Sequence, residues 1–197
     1  MPDPLTIARA RSAVLIMDYQ TDIVAYVGAQ QEPLLTRASR VLQGSRDAKI
    51  PVIYVVVGFR PGYPEVSPRN SRFGAIKQTG RFMANAPGSE VYAAVAPHDG
   101  DITVVKHRVS AFSGSDLDMI LRAKEIETLV LLGIATSGVV LSTLRQAADS
   151  DYRCIVLKDC CADRDAEVHR CLIEKVFPMQ ATVVTSEEFL TAIRSLD

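Results

Sequence analysis

No apolar run in this chain approaches the ~20 residues a membrane-spanning helix requires, which argues against a helical membrane protein. Charge of one sign is missing too. The 22 Lys and Arg are balanced by 23 Asp and Glu, so no whole-protein field favours nucleic acid or an anionic membrane surface. Histidine is limited to His98, His107 and His169, too scattered for a metal site. Cys154, Cys160, Cys161 and Cys171 all fall in the last quarter and contain no CxxC pair. They are expected to be free thiols in a reduced compartment, since vicinal Cys160–Cys161 would bridge only with strain. The first residues hold no signal-peptide core, which sets a cytoplasmic expectation. Internal repeats, low-complexity tracts and linkers are absent, so residues 1–197 are expected to form one domain.

What the chain does have is 48% hydrophobic residues, gathered in short runs rich in Val, Ile and Leu. Six such runs predict strands at 13–17, 52–57, 102–105, 128–132, 154–157 and 181–184. They are continuous rather than alternating, as strands buried on both faces of a parallel sheet require. Helical patterns lie between or after them at 33–47, 115–124, 137–150, 165–176 and 187–195. Strand–helix repetition with right-handed crossovers predicts an α/β fold, a three-layer α/β/α sandwich with strand order 3-2-1-4-5-6. Its site belongs outside the carboxyl ends of the strands, where the order switches between strands 1 and 4.

Residues 59–87 break the rhythm. Their glycines and prolines argue against a long regular element, and connections of this length are commonly lids or binding loops. Arg60, Arg69, Arg72, Lys77 and Arg81 outnumber Glu65 there. Such a segment would attract a carboxylate or phosphate, or else be a solvated loop or subunit contact.

Three chain-distant features converge on one rim of the predicted sheet. Asp18 follows strand 1 in LIMDYQ, and Lys106 closes strand 3 in ITVVKH. Alone, the first reads as a turn or cap residue and the second as a snorkelling surface charge. The third is LVLLGIATSGVVLSTL at 129–144, a strand passing through a small-residue turn into a helix, with Ser137 the expected N-cap. A strand feeding a helix N-terminus is where α/β enzymes place nucleophiles, because free N–H groups and the helix dipole favour anions there. The residue standing in that place is Val139, which has no nucleophilic atom.

The ordered set Asp18-x-Gln20, Lys106 followed by Ser110-Ala111-Phe112, and Gly133-x-Ala135-Thr136 before a helix resembles the isochorismatase-like cysteine hydrolase superfamily. That superfamily includes nicotinamidases, N-carbamoylsarcosine amidases and isochorismatases, and the resemblance runs over roughly residues 10–190. It implies Asp18 as the acid/base, Lys106 as its lysine partner and Val139 at the nucleophile position. The N–H groups of Ala135 and Val139 would be the oxyanion donors, with a cis peptide at Ile134–Ala135. Gln20, Phe59, Arg60 and Thr136 are the implied substrate contacts. Nicotinamidases of the family hold a metal after strand 2, but here GFRPGYPE occupies that segment, so neither metal nor cofactor is expected. Cys160, near the end of strand 5, is the one other thiol weighed as a stand-in nucleophile.

Isochorismatases that lack the cysteine hydrolyse a vinyl ether, a reaction needing a general acid but no protein nucleophile. The leading expectation is therefore a nucleophile-free hydrolase in which Asp18 works on a small carboxylate-bearing substrate. Lys106 and Arg60 with its loop neighbours would grip the carboxylates. Two further readings stay open: an amide hydrolase in which Asp18 activates water, and a non-catalytic scaffold that binds a small acid or a partner protein. The family resemblance also implies a homo-oligomer, a dimer or tetramer.

Overall fold

The computed structural model describes residues 5–194. Its strands are β1 (Ser12–Met17), β2 (Val52–Val57), β3 (Ile102–Lys106), β4 (Thr128–Ile134), β5 (Arg153–Ala162) and β6 (Thr182–Val184). All pair in parallel in the order β3-β2-β1-β4-β5-β6, as the sequence predicts. The connections carry α1 (Thr21–Val24), α2 (Gln31–Asp47), α3 (Ser71–Thr79), α4 (Leu117–Ala123), α5 (Leu141–Ala148) and α6 (Ala166–Cys171), and α7 (Ser186–Arg194) follows β6. None of the described helices is long and apolar enough to cross a membrane.

Period-two geometry sorts β1 between two helical layers. Val14 and Ile16 pack with Leu34 and Val41 of α2 and Phe189 and Leu190 of α7. Ala13, Leu15 and Met17 face the other way, onto Leu117 and Leu121 of α4 and Leu144 of α5. Every residue of β1 is buried, which is why the strand is apolar throughout rather than alternating. The strand's carboxyl end is thereby fixed from both sides.

Several elements depart from expectation. β5 extends well beyond 154–157 because its ladder with β4 slips from Leu131↔Val156 to Gly133↔Cys161, leaving extra residues bulged on β5. Asp159 in that bulge accepts the N–H and hydroxyl of Ser186, both at 2.7 Å, and so anchors the start of α7. The glycine- and proline-rich segment 59–87 contains a regular helix after all, α3. Asn70 caps it by accepting the Phe73 N–H, and Gly80, at φ 68°, closes it in the left-handed region. Around it Phe59, Tyr63, Phe73 and Phe82 form a satellite core.

The helix expected at 137–150 begins with a wide π-type turn, Thr136–Val140, before α5. Ser137 is not its N-cap: the turn starts directly after Ala135, and the Ser137 N–H donates to Asp163 Oδ2 at 2.8 Å. The helix expected at 165–176 likewise widens over Leu172–Val176. Residue 195, the expected end of the last helix, lies outside the described residues.

Gly133 is where the end of β4 and the following turn come closest. A Cβ there would lie 3.0 Å from Val140 Cγ2, 3.1 Å from the Met17 carbonyl oxygen and 3.2 Å from Met17 Cβ. Gly133→Ala is therefore expected to destabilise the fold by about 1–3 kcal/mol through overpacking against backbone. Urea denaturation checks this, and an unchanged midpoint would contradict the packing described.

Candidate active site

The carboxyl ends of β1 to β4 surround a cavity of about 310 Å³, a volume suited to a small molecule. Asp18 enters it from the first residue after β1. Its φ of 59° lies in the left-handed region, which Asp tolerates better than most residues, and its N–H is held by the Val55 carbonyl at 2.8 Å. Lys106 ends β3, two strands away across β2. Two inter-strand spacings amount to about 10 Å, a gap that a lysine stem can span. Its Nζ lies 3.0 Å from Asp18 Oδ2 and donates to the Arg108 carbonyl at 3.0 Å. Both side chains are buried, and Asp18 Oδ1 has no hydrogen-bond partner.

Two influences oppose each other at Asp18. Burial disfavours its charged form, while Lys106 and, more weakly, Arg72 favour it. Burial prevails, so the carboxyl is held above the usual aspartate range. An acid that keeps its proton nearer neutrality is suited to proton transfer.

The opposite wall is the turn after β4. The Ile134–Ala135 peptide is cis, as the resemblance implies. The chain then wraps round the Ala135 carbonyl, which accepts the N–H groups of Gly138 at 3.1 Å and Val140 at 3.3 Å. Ala135, Gly138 and Val139 line the cavity, so hydrocarbon stands where the resemblance implies a nucleophile. Cys160 does not replace it: it is packed in the layer of Tyr19 and Phe189, while Val139 belongs to the layer on the other face of the sheet. Burial pushes the Cys160 thiol well up, away from thiolate reactivity.

Four residues expected at the substrate are engaged elsewhere. Gln20 is fully buried: its Nε2 donates to the carbonyls of Val57 and Ser89, and its Oε1 accepts the Val57 N–H. It clamps the end of β1 to the end of β2. Phe59 packs against Tyr63 and Phe73, with ring centroids 5.4 Å and 5.8 Å away, and so backs the cavity wall without lining it. Arg60 extends into solvent and pairs with Glu65 at 2.5 Å. Thr136 is buried with its hydroxyl 2.8 Å from His169 Nδ1.

The basic segment does reach the cavity, through Arg72 and Arg81 rather than Arg60. The Arg72 side chain has no hydrogen-bond partner among the described residues, and its Nη2 is 3.9 Å from where a Gly138 Cβ would stand. Arg81 pairs with Asp22 at 3.2 Å. Sequence reasoning missed Arg164 and Tyr26, whose ring carries the Arg164 guanidinium at 4.1 Å. It also missed the brace behind the turn, where Asp163 takes the Ser137 N–H. Burial works to raise the Asp163 carboxyl, but that bond and neighbouring N–H groups outweigh it and hold it below the ordinary range. No three described His, Cys, Asp or Glu side chains are grouped to hold a metal ion.

The opposed influences on Asp18 can be measured. A carbon-13 titration of its carboxyl should give a pKa above the ordinary aspartate range. Lys106→Met should move it higher still, because the ammonium favours the carboxylate. A titration at or below the ordinary value would contradict the balance described.

Comparison with known proteins agrees with this geometry. The family model described as Isochorismatase domain matches residues 12–188. The ureidoacrylate amidohydrolase RutB of Yersinia enterocolitica is 33% identical over 181 residues, covering 80% of this chain and 78% of that protein. A cysteine hydrolase from Pseudomonas syringae pv. phaseolicola superposes with a TM-score of 0.89 at 26% identity, over 99% of both chains. The N-carbamoylsarcosine amidase from Thermoplasma acidophilum gives 0.73 at 30% identity, over 90% of this chain and 97% of that one. The strand order, the acid–lysine pair, the cis peptide and these matches together place the chain in the isochorismatase family of hydrolases.

Proposed function

We propose that this hydrolase acts without a covalent protein intermediate, Asp18 serving as general acid/base on a small carboxylate-bearing vinyl ether of the isochorismate kind. The observation that carries the reading is Asp18 Oδ1, a buried oxygen with no protein partner on a residue lining a cavity whose nucleophile position is Val139. A protonated Asp18 donates to the enol-ether methylene and leaves an oxocarbenium ion. Water captures the ion, returns a proton to Asp18, and the hemiketal collapses to a 2-keto acid and an alcohol. Lys106 offers three N–H donors and uses two on Asp18 and the Arg108 carbonyl, so one remains for a substrate carboxylate. Drawing the ammonium toward that carboxylate weakens its hold on Asp18 and favours the acid form.

A second reading follows from the names of the relatives, an amidohydrolase and an amidase. In it Asp18 is the base that activates water against an amide carbonyl, and the Ala135 and Val139 N–H groups receive the oxyanion. The two readings give opposite pH behaviour. As an acid, Asp18 works when protonated, so kcat/KM is flat at low pH and falls as pH rises through its raised pKa. As a base it works when ionised, and kcat/KM rises through the same pKa.

Pyruvate release from isochorismate by the purified protein tests the proposal. The wild type should turn over with the falling pH profile, and Asp18→Asn should lower kcat/KM about 100- to 10,000-fold. Absence of pyruvate above background together with cleavage of a panel of amides would overturn the vinyl-ether reading in favour of the second. Val139→Cys restores a thiol beside the turn. It should leave amides uncleaved if the pocket is shaped for a vinyl ether, and prompt amidase activity would support the alternative.

A further inference from the structure

The turn after β4 has two sides. Ala135, Gly138 and Val139 line the cavity that holds Asp18, while Thr136 and Ser137 do not. The latter two are gripped from behind by the chain that leaves β5. Asp163, the first residue after that strand, takes the Ser137 N–H at 2.8 Å. His169 of α6 bonds the Thr136 hydroxyl through Nδ1, also at 2.8 Å. Two consecutive residues of one wall are thus tied to one neighbouring segment.

The tie at His169 is directional. Thr136 is completely buried, and its hydroxyl has no other hydrogen-bond partner among the described residues. If Nδ1 carried the ring proton, the hydroxyl would accept it and its own proton would be left buried and unpaired. The satisfied arrangement has Thr136 donating to a bare Nδ1, with the ring proton on Nε2. Burial outweighs the opposing influence of Asp163 and holds His169 below the ordinary histidine range, so near neutral pH the ring is uncharged and Nδ1 can accept.

Packing does not replace this bond. His169 is half-buried and borders a second cavity of about 310 Å³, beside Pro33, Arg37 and Lys158. With open space next to the ring, van der Waals contact alone leaves it free to tilt, and the bond to Thr136 sets its orientation.

Resting on the reading that the substrate reacts between Asp18 and this turn, we propose that His169 is a positioning residue: acting through Thr136, it fixes the 135–140 turn as the wall that holds the substrate against Asp18. It touches neither the substrate nor the reacting atoms. Loss of the bond leaves a buried polar atom unpartnered and lets the turn open locally, so the reacting geometry slackens while the sheet stays closed.

Amide hydrogen exchange on the full chain reads the turn without requiring turnover. The reporters are the Gly138 and Val140 N–H groups, which bond the Ala135 carbonyl, with Leu131 in β4 as the control. His169→Phe keeps a ring but no acceptor. It should speed exchange at both reporters about tenfold or more and leave Leu131 within about twofold. Thr136→Val should do the same, and combining the two should add little because both act on one bond. His169→Asn, whose amide oxygen can stand near the Nδ1 position, should restore slow exchange. With whichever substrate the wild type turns over, His169→Phe should lower kcat about tenfold or more with KM within about twofold, and His169→Asn should recover most of the loss.

A role confined to stability would speed Leu131 along with the reporters and leave kcat per folded molecule unchanged. That result, or unaltered exchange at Gly138 and Val140 in His169→Phe, overturns the positioning role and leaves the proposed reaction standing. If reporters and kcat respond as described but the substrate turned over is an amide, the positioning role stands and the vinyl-ether reading falls. Turnover of neither isochorismate nor amides overturns the reading and the positioning role together.

Discussion

A buried carboxyl and a buried ammonium meeting across β2 are the constraint around which this molecule is arranged. Neither group would be stable alone in that place, because an isolated charge taken out of water is strongly disfavoured. Their pairing at 3.0 Å makes the burial tolerable, and the sheet order makes the pairing possible. Asp18 leaves the central strand and Lys106 the edge strand, so the intervening β2 must end short enough for the lysine to cross it. Gln20 secures that end by bonding both backbone groups of Val57. The packing of β1 between two helical layers keeps the aspartate from relaxing outward.

The same pair shapes the chemistry. With Val139 in it, the turn after β4 has its cis peptide and its wrap around the Ala135 carbonyl, but presents only backbone and hydrocarbon to the cavity. In the proposed reaction, proton transfer at Asp18 is then the chemical act left to the protein's own side chains at that centre. Burial raises the carboxyl, Lys106 and Arg72 lower it, and a bound anion shifts the balance by engaging the cations. In the proposed reaction, substrate binding and acid strength are coupled through one cluster of charges.

The fold was legible because the strands are buried on both faces. Runs such as AVLIM and VIYVVV admit no other placement in a chain of this rhythm, and their carboxyl ends marked the rim on which Asp18 and Lys106 lie. The β5 bulge was hidden, since a register slip leaves no compositional trace in CIVLKDCCA. In the segment 59–87, Gly80 read as a breaker and is a helix terminator, with Asn70 as the cap at the other end. Gln20, Phe59 and Thr136 were legible as neighbours of the site but not as its lining. A side chain that clamps strands or backs a wall occupies the same motif positions as one that touches a ligand. Arg164, in ADRDAE, reads as a solvated charge among acids; only the fold brings it onto Tyr26.

The claim on which this account turns is that Asp18 delivers a proton in the step that breaks the substrate. The solvent deuterium isotope effect on kcat with isochorismate, taken on the flat acidic limb of the pH profile, measures that transfer most directly. A clearly normal effect on the wild type, lost together with turnover in Asp18→Asn, is the predicted result. An isotope effect of unity, or pyruvate formation that persists unchanged in Asp18→Asn, would contradict it.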